Sequence, residues 1–179
     1  YIDLDTNSNV SSNISSNIVI KPGMIMSSIG KVNKAMIINT FVSVKPSSKI
    51  NDKAVFGVYA YSEQTKTSTE QQYTISNDGQ YIPNPNYKND ITTLNYVASI
   101  GEGCILITNI YGDIGNGDYI TSSEIPGYGA LQSDDLMHSY TVAKCTENID
   151  WSSITNTITN EHDGKTYKWY LAACTYHCG

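Results

Sequence analysis

The spacing of the apolar residues constrains this chain most. Short runs rich in Ile, Val, Tyr and Thr recur every ~8–15 residues, separated by Gly, Pro, Asn and Asp. Apart from a short turn around Ser133 to His138, no stretch repeats at the helical period. This pattern predicts an all-β fold, a sandwich or compact barrel. Composition agrees: 22 Ile and 14 Tyr suit strands, and Ser (20), Thr (17) and Asn (17) give a polar but weakly charged surface. With 40% hydrophobic residues in 179, the chain can bury a sizeable core, and disorder of the whole chain is excluded.

Residues 6–17 are almost all Ser, Asn and Thr, so residues 1–17 are expected to form an extended arm or linker ahead of a single β domain over 18–179. Ile18-Val19-Ile20, Lys21-Pro22-Gly23 and Met24-Ile25-Met26 read as strand, turn, strand. Ala35 to Lys45 reads as a strand ended by Pro46-Ser47-Ser48. Ala54 to Tyr61 is another, with Gly57 marking a close backbone approach or a bulge. Residues 62–95 are polar and predict an exposed insertion. It carries a hairpin of Gln72–Ile75 with Gln80–Ile82 about Asn77-Asp78-Gly79. Strand resumes at Asn95–Ile100, and Cys104–Ile110 is the most apolar run. Ser139–Cys145 alternates, placing Tyr140, Val142 and Lys144 on one face and Thr141, Ala143 and Cys145 on the other. A last hairpin pairs Ile154–Thr159 with Thr166–Leu171 across His162-Asp163-Gly164.

Charge excludes several partners. The net charge is −6 and all 11 basic residues are Lys. Without Arg there is no bidentate recognition of phosphate or guanine, so no nucleic-acid partner is expected. An acidic chain is poorly suited to anionic membranes, and no apolar run reaches the ~20 residues a helical membrane span needs. The chain begins at Tyr1 without Met and reads as a fragment or a processed chain. Two sequons, Asn9-Val10-Ser11 and Asn13-Ile14-Ser15, are expected by chance in so Asn/Ser-rich a segment.

The most informative motif is Gly117-Asp118-Tyr119-Ile120-Thr121-Ser122-Ser123-Glu124-Ile125-Pro126-Gly127-Tyr128-Gly129. Gly117 permits a tight entry and Asp118 can cap its own backbone. Pro126-Gly127 fits the centre of a type II turn, where φ must be positive at the second position. Followed by the Val142-Ala143-Lys144 strand, and with Ala54 to Ala60 as a weaker upstream match, this run resembles β-rich segments near the C-termini of phage tail-fibre, tail-spike and large-virus fibre proteins. The match covers Gly117 to Lys144. The resemblance implies a structural virion or surface-fibre domain at a virion or extracellular surface. Such a domain acts by self-association, as a homo-oligomer, trimer or filament, with a host cell-surface glycan or protein as a further contact. In those families the segment often precedes or lies within a chaperone or self-cleaving assembly domain. An autoproteolytic assembly domain is therefore the alternative, and a secreted carbohydrate-binding β module is a second.

The remaining candidates are weighed by chemistry. Cys174, His177 and Cys178, with Cys145 as a fourth, are soft metal ligands, but there is no Cys-x-x-Cys knuckle. A strand would also send Cys174 and His177 to opposite faces. Four reduced thiols are equally allowed by the count; under oxidising conditions the expectation is at least one stabilising disulfide among Cys145, Cys174 and Cys178. Cys104, buried in the most apolar strand, is the free thiol. Asp113 to Asp118 carries only part of a calcium loop, so no metal is assigned. Ser122 or Ser123 with Asp118 and His138 lacks a nucleophile elbow, and His162 lies in a turn. No catalytic residue and no cofactor is assigned. Trp151, Trp169 and Tyr167 are candidates for stacking on a glycan or for an interface. Alternation puts Tyr167, Trp169 and Leu171 on one strand face, and Lys168 and Tyr170 on the other.

Overall fold

Alternating β-branched and aromatic residues build strands throughout, and the fold is all-β. The computed structural model describes residues 2–4, 18–34, 40–65, 73–75, 81–83 and 92–178. Among these residues there are thirteen strands and no helix. The first seven are β1 (Ile2–Leu4), β2 (Ile25–Lys34), β3 (Thr40–Pro46), β4 (Val55–Thr65), β5 (Tyr73–Ile75), β6 (Tyr81–Pro83) and β7 (Thr92–Ala98). The next six are β8 (Ile100–Thr108), β9 (Tyr119–Ser122), β10 (Gly129–Leu131), β11 (Thr141–Cys145), β12 (Thr157–Thr159) and β13 (Thr166–His177).

The N-terminal strands form a closed barrel in the order β1-β3-β2-β4-β7. β1 lies parallel to β3, and Ile2 opposite Asn95 of β7 closes the ring. The C-terminal strands run β11-β9-β10-β8-β13-β12, and a further pairing of β11 with β13 closes five of them into a second ring with β12 outside it. Its backbone is the long β8–β13 ladder, from Trp169 opposite Thr108 to His177 opposite Ile100. β5 and β6 pair as the expected hairpin, with Thr74 opposite Ile82; its Asn77-Asp78-Gly79 turn lies outside the described residues. So do most of the arm at 5–17 and residues 35–39.

Several strand expectations need correction. Ile18-Val19-Ile20 is not a strand. The Lys21-Pro22-Gly23 turn forms, closed by the Met24 N–H on the Lys21 carbonyl at 3.2 Å, while Gly23 donates its N–H to the Tyr59 carbonyl and accepts from the Leu106 N–H, so the turn enters between β4 and β8. Ser133 to His138 is a series of bends, not a helical turn. β11 does not keep its alternation: Thr141, Val142 and Ala143 are all buried. A register shift against β9 between Thr141 and Ala143 is the bulge that turns Val142 inward. β4 and β7 run into the polar 62–95 segment, to Thr65 and from Thr92. Gly57 has both roles offered for it. The β2–β4 register shifts beside it, and a Cβ there would lie 2.5 Å from the Ala98 carbonyl oxygen.

Two cores result, and they interlock. One gathers Ile105, Ile107, Ile120, Val142, Trp151 and Ala172 inside the C-terminal ring, yet it includes Ile25 and Val58 of the N-terminal barrel. The other gathers Met24, Met26, Val44 and Tyr59, yet it includes Leu106, Ile125 and Tyr128 from the C-terminal half. β8 links them by parity, sending Ile105 and Ile107 to one core and Leu106 to the other.

Candidate functional site

The Gly117–Gly129 motif is the joint between the two rings. Asp118 caps its own turn: its Oδ2 accepts the Gly115 N–H at 2.8 Å, and Gly117 has φ +98°. Pro126-Gly127 makes the expected turn, with Gly127 at φ +80° and the Tyr128 N–H donating to the Ile125 carbonyl at 3.0 Å. The Ser123 hydroxyl, fully buried, donates to the Tyr128 carbonyl at 2.7 Å and accepts the Ile125 N–H at 3.2 Å. It thus staples the two ends of this turn.

The turn then reaches across. Gly127 donates its N–H to the Ser47 carbonyl at 2.7 Å, and its carbonyl accepts the Ile25 N–H at 2.8 Å. Ser122 donates to the Lys49 carbonyl at 2.8 Å and accepts the Asp52 N–H at 2.9 Å. Asp52 in turn accepts the Ser27 hydroxyl at 2.7 Å and the Ala54 N–H at 3.0 Å. These bonds tie β9 to the β3–β4 loop and to β2. On the far side, Glu124 accepts from the Asn160 amide at 2.9 Å and from the Tyr111 hydroxyl at 3.2 Å. Burial, followed by the Glu124 charge, pushes the Tyr111 phenol up to about 12. Apart from the Asp52 bond to the Ala54 N–H, the bonds of Asp52, Ser27, Asn160 and Tyr111 in these roles carry no local sequence signal, because the partners are distant in the chain.

The other candidates separate. The hydroxyls of Ser122 and Ser123 serve backbone carbonyls, and Asp118 serves Gly115. His138 sits 2.9 Å from Asp134 and stacks on Tyr140 with ring centroids 4.6 Å apart. No hydrogen bond joins these four into a nucleophile, base and orienter. The His162 N–H donates to the Asn160 side chain, and the His177 ring contacts Thr175 at 3.1 Å. Among the described residues, no group of three or more His, Cys, Asp or Glu side chains is arranged to hold a metal ion.

The aromatics divide likewise. Trp151 is 6% exposed, and its indole N–H donates to the Ile114 carbonyl at 2.8 Å. It is a core residue with no face to offer a glycan. Trp169 and Tyr167 pack, half-buried, on the second core. Trp169 meets Tyr128 edge-on, and the Tyr167 hydroxyl donates to Asp163 at 2.6 Å. Leu171, expected on their face, is exposed. Among the described residues, a different aromatic pair is more accessible: Tyr61, 51% exposed, stacks on Tyr96 across β4 and β7 at 4.4 Å.

All four cysteines are free thiols, so the expected bridge is not formed in this structure. Cys104 is exposed, against expectation. The buried part of β8 begins only at Ile105. Cys145, Cys174 and Cys178 are buried. Burial pushes the Cys174 thiol up to about 12 and the Cys178 thiol up to about 11, and raises Cys145. Tyr176, hydrogen-bonded to the Cys104 carbonyl at 2.8 Å, is pushed up to about 12 by the same desolvation. None is poised as a nucleophile. These groups hold their protons more tightly folded than unfolded. Their contribution to stability is therefore full below the ordinary thiol and phenol ranges, about 8.5 and about 10, and is lost as pH rises toward the folded values. Thermal melts are expected to be flat near neutrality and to fall steadily from about pH 9 upward; a midpoint unchanged to pH 11 would contradict this.

Comparison with protein-family models, with curated proteins and with solved structures finds no match.

Proposed function

We propose that this chain is a structural domain of a virion or surface fibre, working by self-association as a trimer or filament. One observation carries the reading. The fibre-like motif spends its polar side chains, Asp118, Thr121, Ser122, Ser123 and Glu124, on hydrogen bonds within the chain. A motif used in this way is architecture, tying the N-terminal barrel to the C-terminal sheet. The same fact weighs against the autoproteolytic alternative, since Ser122 and Ser123 are fully buried and already committed to the backbone.

Self-association is supported by apolar side chains left outside, among them Ile100, 82% exposed, and Leu136, 66% exposed beside the exposed Met137. Low charge density lowers the electrostatic cost of bringing copies together. Sedimentation velocity over a hundredfold concentration range tests it. Species at two or three times the chain mass, weakened by Leu136→Asp with Met137→Asp, are expected. A monomer at the highest concentration counts against the proposal. The exposed Tyr61–Tyr96 stack favours a host glycan as a secondary contact at the extracellular surface. Glycan-array binding lost in Tyr61→Ala would support that contact.

A further inference from the structure

We propose that Cys145 and Cys174 are a modification site: under oxidising conditions they close a cross-strand disulfide between β11 and β13. The two residues are register partners in this antiparallel pair. Cys145 points its own N–H and carbonyl away from β13, to the Asp118 carbonyl and the Gly117 N–H, both at 2.9 Å. The Cys145–Cys174 rung is therefore of the non-hydrogen-bonded kind, whose opposed Cα atoms stand about 4.5 Å apart with side chains on one face. That falls within the roughly 4.4–6.8 Å that a disulfide spans. Both side chains lie in the same core.

The ladder also excludes the other pairings. Cys104 is opposite Ala173, so it leaves on the face away from Cys174. Cys178 stands four residues beyond Cys174, about 13 Å further along an extended chain, and its Sγ donates to the Val142 carbonyl at 3.4 Å. The thiols of the proposed pair make only weak bonds, Cys145 to the Glu147 carbonyl at 3.4 Å and Cys174 to the Gly103 carbonyl at 3.6 Å. A χ1 rotation of each releases them. Cys174 is 2% exposed and its thiol faces the core, so a small oxidant reaches it when the β11–β13 pair opens locally.

The oxidant class is a small dialkyl disulfide. Cys174, as its thiolate, attacks one sulfur and expels one thiolate, which takes up the proton Cys174 gave up. Cys145 then loses its proton and attacks the Cys174 sulfur, expelling the second thiolate, which is protonated in turn. Two protein S–H bonds become one S–S bond, and the oxidant is reduced to two thiols. Because burial keeps both cysteines protonated, the reaction is expected to take hours. The inference does not rest on the fibre reading.

The test uses the full chain with excess 2-hydroxyethyl disulfide, followed by unfolding and thiol labelling. In the Cys104→Ser variant, which removes the exposed thiol that the reagent would cap, the expected product is lighter by two hydrogens and has one labelled cysteine, Cys178. Cleavage after Tyr176, which separates Cys174 from Cys178, should leave the cross-link on Cys145 and Cys174. Cys104→Ser and Cys178→Ser should still cross-link, whereas Cys145→Ser and Cys174→Ser should not. Mapping the unsubstituted protein needs no variant to fold. Cys145, Cys174 and Cys178 all labelled in the Cys104→Ser variant, a bridge to Cys104 or Cys178, or a lasting adduct on Cys174 without a bridge would each overturn the proposal.

Discussion

Trp151→Ala is expected to destabilise the fold by about 3–5 kcal/mol, the range for removing a buried Trp or Phe side chain. Trp151 belongs to no strand; it lies in a turn between β11 and β12. Its ring fills the core shared by Ile114, Ile120, Ala143 and Cys145. Truncation opens a cavity there and also strips the buried Ile114 carbonyl of its donor. Trp151→Phe separates the two terms. It keeps most of the ring but leaves the carbonyl unpaired, for an expected cost of about 1–3 kcal/mol. Urea unfolding followed by circular dichroism measures both. An alanine variant within 1 kcal/mol of the parent would remove Trp151 from the core and restore it as a candidate for glycan contact. The same substitution tests what the indole is for, because a side chain already enclosed by its own chain has no face to present.

What the sequence made legible here is short-range. The sign of φ at Gly127, the Asp118 cap, the Gly57 approach and the turn at His162-Asp163-Gly164 all depend on residues within a few positions of one another, or on a missing Cβ. Gly164 indeed has φ +68°, and Thr157–Thr159 pairs with Thr166–Lys168 beside it. Parity along a strand was also legible, but which face is covered was not. Cys104 and Leu171 each sit in an apolar run and are exposed, which neither hydrophobicity nor alternation marks. Val142 was misassigned because one bulged residue inverts parity. The clamp from Ser122 to Asp52 and Ser27 joins residues about seventy and a hundred positions apart, which no periodicity encodes. That Cys145 faces Cys174 is likewise a property of register. The count of four cysteines left every pairing open; only the ladder shows that Cys145 and Cys174 stand opposite each other.

The joint itself carries the largest test of the architecture. Gly127 holds φ +80°, and a Cβ built there lies 2.8 Å from Met24 Cγ and 3.0 Å from its Sδ. An alanine must adopt a left-handed backbone, costing about 1–2 kcal/mol. It must also displace a buried Met24, at about 1–3 kcal/mol for overpacking a core. Gly127→Ala is therefore expected to lose about 2–5 kcal/mol in total. The two tryptophans report on different cores: Trp151 sits in one, and Trp169 packs against the other through Tyr128. In Trp169→Phe and Trp151→Phe backgrounds, guanidinium unfolding followed by the remaining indole reads each core separately. The shared residues Ile25, Val58, Leu106 and Ile125 predict coincident transitions, as a single cooperative unit gives. Gly127→Ala should then shift both midpoints together with the slope unchanged. If the Trp169 transition moved while the Trp151 transition stayed, the two barrels would be separate folding units and the motif only a linker. Coincidence would make the turn at Pro126-Gly127 the point through which each barrel depends on the other, the property a stiff element of a larger assembly needs.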